Sequence, residues 1–463
     1  MNITLYGAAG DVTGSAYYIE TAGSAVMVDF GVFQGGREAD ARNRKLPPIN
    51  IGKLNAILLT HAHLDHIGRL PLLTRSGYDK PIFATAATIE VAGLILHDSV
   101  KVQTMDYQHL NKRRARRGQA PLQTMYSAED VEKVLALLTP APYSEYIPVA
   151  PGIRARFHEA GHILGSASIE LTVVEEGKQK VVVFSGDIGP QGMAILNDPD
   201  PYLKADLVFM ESTYGDRDHR SLKDTLIEGE QIIREALKNK GKILVPSFAV
   251  GRTQQLLYYL AASAHNGNIP DFPVYIDSPM AIEATKIYMK HEELYDTEAR
   301  QLADSGELKK DLTHVTYCST ADESRALNFV EGSCMILAGA GMCNAGRILH
   351  HLRHNLWKPE TSVVIVGYQG EGTLGRRLIE GAKEVSIFGE KIAVKASIHS
   401  LGGLSAHAGQ TDLLHWFNAI APSRPKLVLS HGEDKGRKPL AEIIRQKYGI
   451  TAILPEFGEK VVI

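Results

Sequence analysis

Residues 58–70, LLTHAHLDHIGRL, place His61, His63, Asp65 and His66 within six positions, directly after an apolar run. Imidazoles and a carboxylate at that density are metal ligands in waiting, and a strand end is a rigid platform from which the next loop can aim them. His61 and His63 are two apart and can converge on one ion from an extended segment. Asp65 and His66 follow where the chain turns, so they are better aimed at a second ion beside the first. Nitrogen ligands with few carboxylates and no cysteine favour zinc, although affinity order alone also admits manganese or iron. Two such ions roughly 3.5–4 Å apart lower the pKa of a shared water towards about 7, which gives a hydrolytic nucleophile at neutral pH.

The elements that must position this cluster are legible as short β-rich runs. NITLYG, SAYYIET, AVMVDFG, NAILLT, PIFAT, ASIELTVV and KVVVFSGD read as strands ended by Gly, Asp or Pro. AEDVEKVLALL, preceded by Ser127 as N-cap, reads as an amphipathic helix. From Asp206 the pattern changes: DLVFME, KILVPS, PVYIDS, SCMILAG and SVVIVGYQG are continuously apolar and are separated by long helical stretches. Strands of that kind, alternating with helices, imply a parallel α/β sheet covered on both faces. After about Ala393 the elements shorten again, with KLVLSHGE as the last strong strand.

At 463 residues the chain exceeds one ordinary core, so two domains, or one with a large insertion, are expected. A formal net charge of −3 gives no general attraction to nucleic acid, so any polyanion must meet a local groove. The basic run KRRARRG at 112–118 reads as a solvated polar face. Cys318, Cys334 and Cys343 form no CxxC pair and suit a reducing compartment. No apolar run approaches the roughly 20 residues of a membrane span. The expected location is the cytoplasm.

The string H-x-H-x-D-H after an apolar strand resembles the metallo-β-lactamase superfamily. Asp29 in VMVDFG, His162 in GHILGSAS, Asp187 in VVFSGDIG and His431 in LVLSHGE fall at matching positions, in order and each beside a strand-like run. The resemblance implies an αββα sandwich in which His61, His63 and His162 hold one zinc and Asp65, His66 and His431 the other. Asp187 then bridges the pair, while Asp29 orients a ligand. Between Asp187 and His431 lie more than two hundred residues, far more than a minimal member needs. The α/β segment there resembles the insertion of the β-CASP branch, whose members cleave nucleic acids. Glu211 in FMESTYGD, His407 in GLSAHAGQ and His431 match that branch, and SAHA with HGE is similar to the mRNA 3′-end cleavage nuclease group. The expected domains are 1–205 and 394–463 for the sandwich and 206–393 for the inserted α/β domain.

Phosphodiester cleavage also needs a proton for the departing oxygen, and histidine is the natural donor near neutral pH. A neighbouring carboxylate favours its charged form, so Glu211 is expected to hydrogen-bond His407, the general acid. His399 in SIHSLGG competes for that role. Asp65 and Asp29 complete the expected catalytic set. Arg252 in SFAVGRTQQ, Arg347 in NAGRIL and Arg376 in TLGRRL follow glycines between a strand and a helix, where they could meet phosphate. GEGTLG is a formal GxGxxG match, but it lacks an acidic strand-end partner further on. His350 and His354, four apart, read as solvated helix positions.

The expected protein is a ribonuclease with two Zn2+ per chain (Mn2+ possible), acting on single-stranded RNA as a homodimer, with internal cleavage and 5′-to-3′ trimming both open. The alternatives are a small-molecule metallo-hydrolase on the same core, or a catalytically silent RNA-binding subunit.

Overall fold

A computed structural model describes residues 1–305, 314–370 and 372–463. The chain folds into two compact units: residues 1–191, 198–218 and 407–463 form one, and 192–197 with 219–406 the other.

In the first unit, a seven-stranded sheet has the spatial order Lys460–Val462, Asn2–Leu5, Tyr17–Glu20, Ala25–Val28, Leu54–Leu58, Ile82–Ala84, Leu138–Pro140. A six-stranded sheet runs Lys426–Leu429, Leu207–Met210, Lys178–Phe184, Ala167–Glu175, Ile153–Glu159, Ile147–Ala150. Side chains alternate across a strand, so Ile3, Leu5, Ile19, Val26 and Val28 of the first sheet meet Phe157, Ile169, Leu171, Phe184 and Phe209 of the second in one core. Phe184 and Phe209 stack at 4.9 Å, and Tyr17 from the other sheet meets their edges at 5.2 and 5.4 Å. The outer face of the second sheet, including Val208, Met210, Leu427 and Leu429, is covered by helices Gln410–Ile420 and Asp434–Tyr448. On the side of the first sheet, helices Ala86–Ala115 and Ala128–Leu137 bury Val91, Ile95, Val131 and Val134. Ser127 caps the latter in a capping box with Asp130. The layers are helix, sheet, sheet, helix.

The second unit carries an all-parallel sheet in the order Val315–Tyr317, Val274–Asp277, Cys334–Ala338, Lys242–Pro246, Ser362–Ile365, Ser397–Ser400. Its central strands KILVP and CMILA are buried at every position, which is why they read as unbroken apolar runs. Helix Ile348–Asn355 packs Ile348 and Leu352 against one face, and Leu222–Lys238 packs Ile232 and Ile233 against the other.

The boundaries differ from the expected ones at Asp206 and Ala393. Leu207–Met210 pairs in parallel with both Lys178–Phe184 and Lys426–Leu429, so it completes a sheet of the first unit. Ser397–Ser400 pairs with Ser362–Ile365 and remains in the second. The three cysteines are free and buried. No helix among the described residues is long and apolar enough to cross a membrane.

Phe209→Ala removes a ring shared by both sheets of the first unit and should destabilise it by about 3–5 kcal/mol. Denaturant titration of the full chain checks this; a variant unfolding with the wild type would show that the two sheets do not depend on that core.

Candidate active site

Strand Leu54–Leu58 ends in the turn that leads to the short helix Leu64–Ile67. Residues 29–32 run beside that turn and pin it. Phe30 N donates to His66 O at 2.7 Å, Val32 N to Leu64 O at 2.9 Å, and Ser15 N to Asp65 O at 2.8 Å. A β-carbon on Gly31 would fall 1.5 Å from Asp65 O, so only glycine lets the segments pass. Asp29 accepts from Thr60 N at 2.8 Å and Thr60 Oγ1 at 2.7 Å, and its Oδ2 lies 2.8 Å from His66 Nδ1. A carboxylate there accepts a hydrogen bond from Nδ1–H, which in the neutral ring leaves the Nε2 lone pair facing the site.

His63 Nδ1 stands 3.1 Å from both His61 Nε2 and His162 Nε2. Asp187 Oδ2 faces the same two Nε2 atoms at 3.4 and 3.5 Å. Asp187 Oδ1 faces His66 Nε2 and His431 Nδ1, each at 3.4 Å. His431 Nε2 lies 3.2 Å from His66 Nε2 and 3.7 Å from Asp65 Oδ2. The side chains thus gather as His61, His63, His162 and Asp187 on one side and Asp65, His66 and His431 on the other, with one Asp187 oxygen turned to each. The loops bearing His162 and Asp187 cross at glycine: a β-carbon on Gly189 would sit 1.9 Å from Gly161 O.

These residues fit divalent ions. Ligands on a tetrahedral zinc, at Zn–N of about 2.0–2.1 Å, stand about 3.3 Å from one another, which is the spacing found here. Asp187 Oδ1 is buried without a hydrogen-bond partner, a costly orphan that a cation would satisfy. Burial, reinforced for His61 by the His66 imidazole, pushes the His61 and His63 pKa values down, so both are neutral and able to ligate.

A third group joins Asp187 to Glu211 and His407. Glu211 follows strand Leu207–Met210, and its Oε1 accepts from Ile188 N at 2.7 Å while lying 3.3 Å from His407 Nδ1. Ile188 O in turn accepts from Ala408 N at 2.7 Å, so the residue after Asp187 stitches all three together. Burial opposes a charge on His407, but Glu211 and then Asp187 outweigh it and raise the pKa to about 9.

Residues 9–231 match the metallo-beta-lactamase superfamily, 253–378 the Beta-Casp domain, and 391–455 the Zn-dependent metallo-hydrolase RNA specificity domain. Over 461 residues the chain is 38% identical to Ribonuclease TTHA0252 of Thermus thermophilus, covering all of both chains. The chain belongs to the β-CASP branch of the metallo-β-lactamase superfamily. It is also 32% identical to the transcription termination factor FttA of Methanothermobacter thermautotrophicus, over 98% of this chain and 70% of that one. A protein of unknown function from Enterococcus faecalis V583 shares the fold, with a TM-score of 0.56 at 14% identity, over 100% of this chain and 99% of that one. A β-CASP metallo-hydrolase uses a divalent metal, and the imidazole–carboxylate groups are where this one can hold it.

Not every expected site residue joins this centre. Asp29 stands behind His66 and holds it. His399 lies on the edge strand Ser397–Ser400 of the second unit; burial lowers its pKa, and Glu228 and Glu235 are the charges acting on it. The three arginines expected at phosphate each have a protein partner in the structure. Arg252 is buried at the start of helix Arg252–His265 and donates to Gln255 at 2.9 Å. Arg347 donates to Asp277 at 2.7 Å, Cys318 O at 2.9 Å and Ser319 O at 2.8 Å, which spends its guanidinium on the fold. Arg376 is exposed and paired along its own helix with Glu380 at 2.6 Å. Within GEGTLG, Glu371 lies outside the described residues; Gly375 is buried in helix Leu374–Ile379. His350 and His354 are exposed.

Sequence reasoning missed Thr60 and Thr213. Thr60 Oγ1 links Asp29 to the ligand loop, and Thr213 Oγ1 lies 3.2 Å from His431 Nδ1. Their positions, directly before His61 and two after Glu211, were the available signal.

Asp29→Ala removes the acceptor behind His66 and should weaken metal affinity about 10- to 100-fold. Competition with a chromogenic chelator measures this, and unaltered affinity would mean that Asp29 serves only the loop.

Proposed function

We propose that this protein is a zinc-dependent ribonuclease that hydrolyses phosphodiester bonds of single-stranded RNA and cuts internally. The observation that carries the reading is the Glu211–His407 pair set against Asp187, because a proton donor beside a two-metal centre is what a poor alkoxide leaving group requires. The likeness to a protein named a ribonuclease, and the match to an RNA specificity domain over residues 391–455, support the same substrate class. A thioester, whose thiolate leaves without protonation, would need no such donor.

In this reading His61, His63 and His162 would hold one ion and Asp65, His66 and His431 the other, with Asp187 available to both. Divalent ions held there would supply a nucleophile at neutral pH and offset charge on the phosphorus oxygens. Asp29 fixes the His66 tautomer. Glu211, itself held by Ile188 N and Thr213 N at 2.7 and 3.3 Å, keeps the His407 imidazole charged and oriented. The His407 side chain is 24% exposed, so it can reach a substrate, and it gives its proton to the leaving oxygen.

His407→Ala should retain full metal content while turnover falls about 100- to 10,000-fold. Metal analysis beside single-turnover kinetics checks it; loss of metal with the mutation would make His407 a ligand instead. RNA labelled separately at its 5′ and 3′ ends should give internal fragments from both labels. A ladder of mononucleotides from one end would replace internal cleavage with trimming, and cleavage that persists in excess chelator would sink the metal-dependent reading.

A further inference from the structure

Three loops leave the carboxyl ends of three adjacent strands in the second unit: residues 247–251 after Lys242–Pro246, 339–347 after Cys334–Ala338, and 366–370 after Ser362–Ile365. Lys242–Pro246 and Ser362–Ile365 are neighbours whose onward connections go opposite ways, to Val274–Asp277 and to Ser397–Ser400. A crevice at such a reversal is where open parallel sheets bind ligands.

Two aromatic rings stand there. Phe248 is 42% exposed and Tyr368 57%. Phe248 is nonetheless firmly seated. Its carbonyl accepts from Thr253 Oγ1 at 2.7 Å and from Ser247 Oγ at 3.2 Å. A β-carbon on Gly341 would lie 2.8 Å from ring carbons Cδ2 and Cε2, and one on Gly367 3.4 Å from the same Cε2, so that edge of the ring rests against both glycines. The buried Gln369 ties those loops together, its Nε2 donating to Gly341 O at 2.9 Å and Gly367 O at 3.2 Å. Tyr368 sits between Gly367 and Gln369 in that same stapled loop.

The Phe248 ring is backed by main chain and partly exposed, and the Tyr368 ring beside Gln369 is more exposed still. Exposed rings are unfavourable in water and suited to a second flat surface laid upon them. Two rings are too small a patch for a stable protein interface, which needs about 800 Å² per partner. They are the size of nucleobases, and aromatic platforms are how proteins hold single strands without reading sequence. We propose that Phe248 and Tyr368 form a stacking platform for bases of single-stranded RNA. This rests on the ribonuclease reading and adds to it a determinant of strand placement.

The test uses the full chain loaded with zinc and a short unstructured oligoadenylate in which 2-aminopurine replaces one base at a time. Stacking quenches 2-aminopurine, so at one or two positions the wild type should quench it on binding. Phe248→Ala and Tyr368→Ala should each abolish quenching at one such position, weaken binding about 5- to 100-fold and move KM more than kcat. Phe248→Trp should restore both readouts. An abasic residue at the quenched position should weaken binding to wild type but add nothing to the deficit of the alanine variant.

Wild-type protein that cleaves RNA yet quenches no position, or alanine variants that match the wild type throughout, would overturn the platform and leave the nuclease standing. Uniform binding to a full set of abasic RNAs would do the same without any variant. A wild type that neither binds nor cuts RNA would bring down both.

Discussion

Taking a carboxylate out of water is unfavourable by several kcal/mol unless opposite charge and hydrogen bonds replace the solvent. Asp187 is almost wholly buried, with one oxygen lacking any hydrogen bond. Around it stand His61, His66, His162, His407 and His431, with nitrogens 3.4–3.9 Å from its oxygens. His407, held charged by Glu211, is the farthest of them at 3.9 Å. The four nearer imidazoles, if neutral, leave the charge unbalanced and, if all protonated, would repel one another at these spacings. Divalent cations between them resolve both problems. The arrangement of the first unit follows from delivering five imidazoles and this carboxylate to one point.

Strand pairing makes that delivery possible. Lys426–Leu429 lies parallel to Leu207–Met210 with Leu429 opposite Met210. The residues that follow each strand, Ser430–His431 and Glu211–Ser212, are therefore neighbours although more than two hundred positions separate them in the chain. Ser212 N donates to His431 O at 3.1 Å, and Ser212 Oγ to Ser430 O at 2.8 Å, which locks the register at the site. A slip by one residue would turn His431 to the opposite face. The aromatic core of Tyr17, Phe184 and Phe209 lies beneath these strand ends, so packing and ligand geometry share the same side-chain alternation.

Much of this was legible because the candidate ligands gather after strand ends and half of the motif is local: His61, His63, Asp65 and His66 announce themselves within six residues, and His162, Asp187 and His431 each sit beside a strand-like run. What stayed hidden depends on partners far along the chain. Asp206 reads as the start of a new pattern, yet the strand after it completes the older sheet, and no local property of LVFM reveals which edge it will join. Arg347 looks like a phosphate ligand beside its glycine. Its actual partner, Asp277, is 70 residues earlier and also binds His351 Nε2 at 2.7 Å. A buried aspartate at a strand end needs such cover, but sequence alone does not say which basic side chain supplies it.

Two carboxylates lie within reach of His407, and their surroundings separate their work. Glu211 is satisfied by two backbone amides, from Ile188 and Thr213. It needs no cation, and its remaining influence falls on His407 Nδ1 at 3.3 Å. Asp187 has no such amide at Oδ1 and lies farther from His407, at 3.9 Å. Environments that differ in this way push neighbouring acids into different roles. The backbone-held carboxylate suits control of a proton, and the orphaned one suits a metal pair. Exchanging their hydrogen bonds would leave the same residues in place and neither function supported.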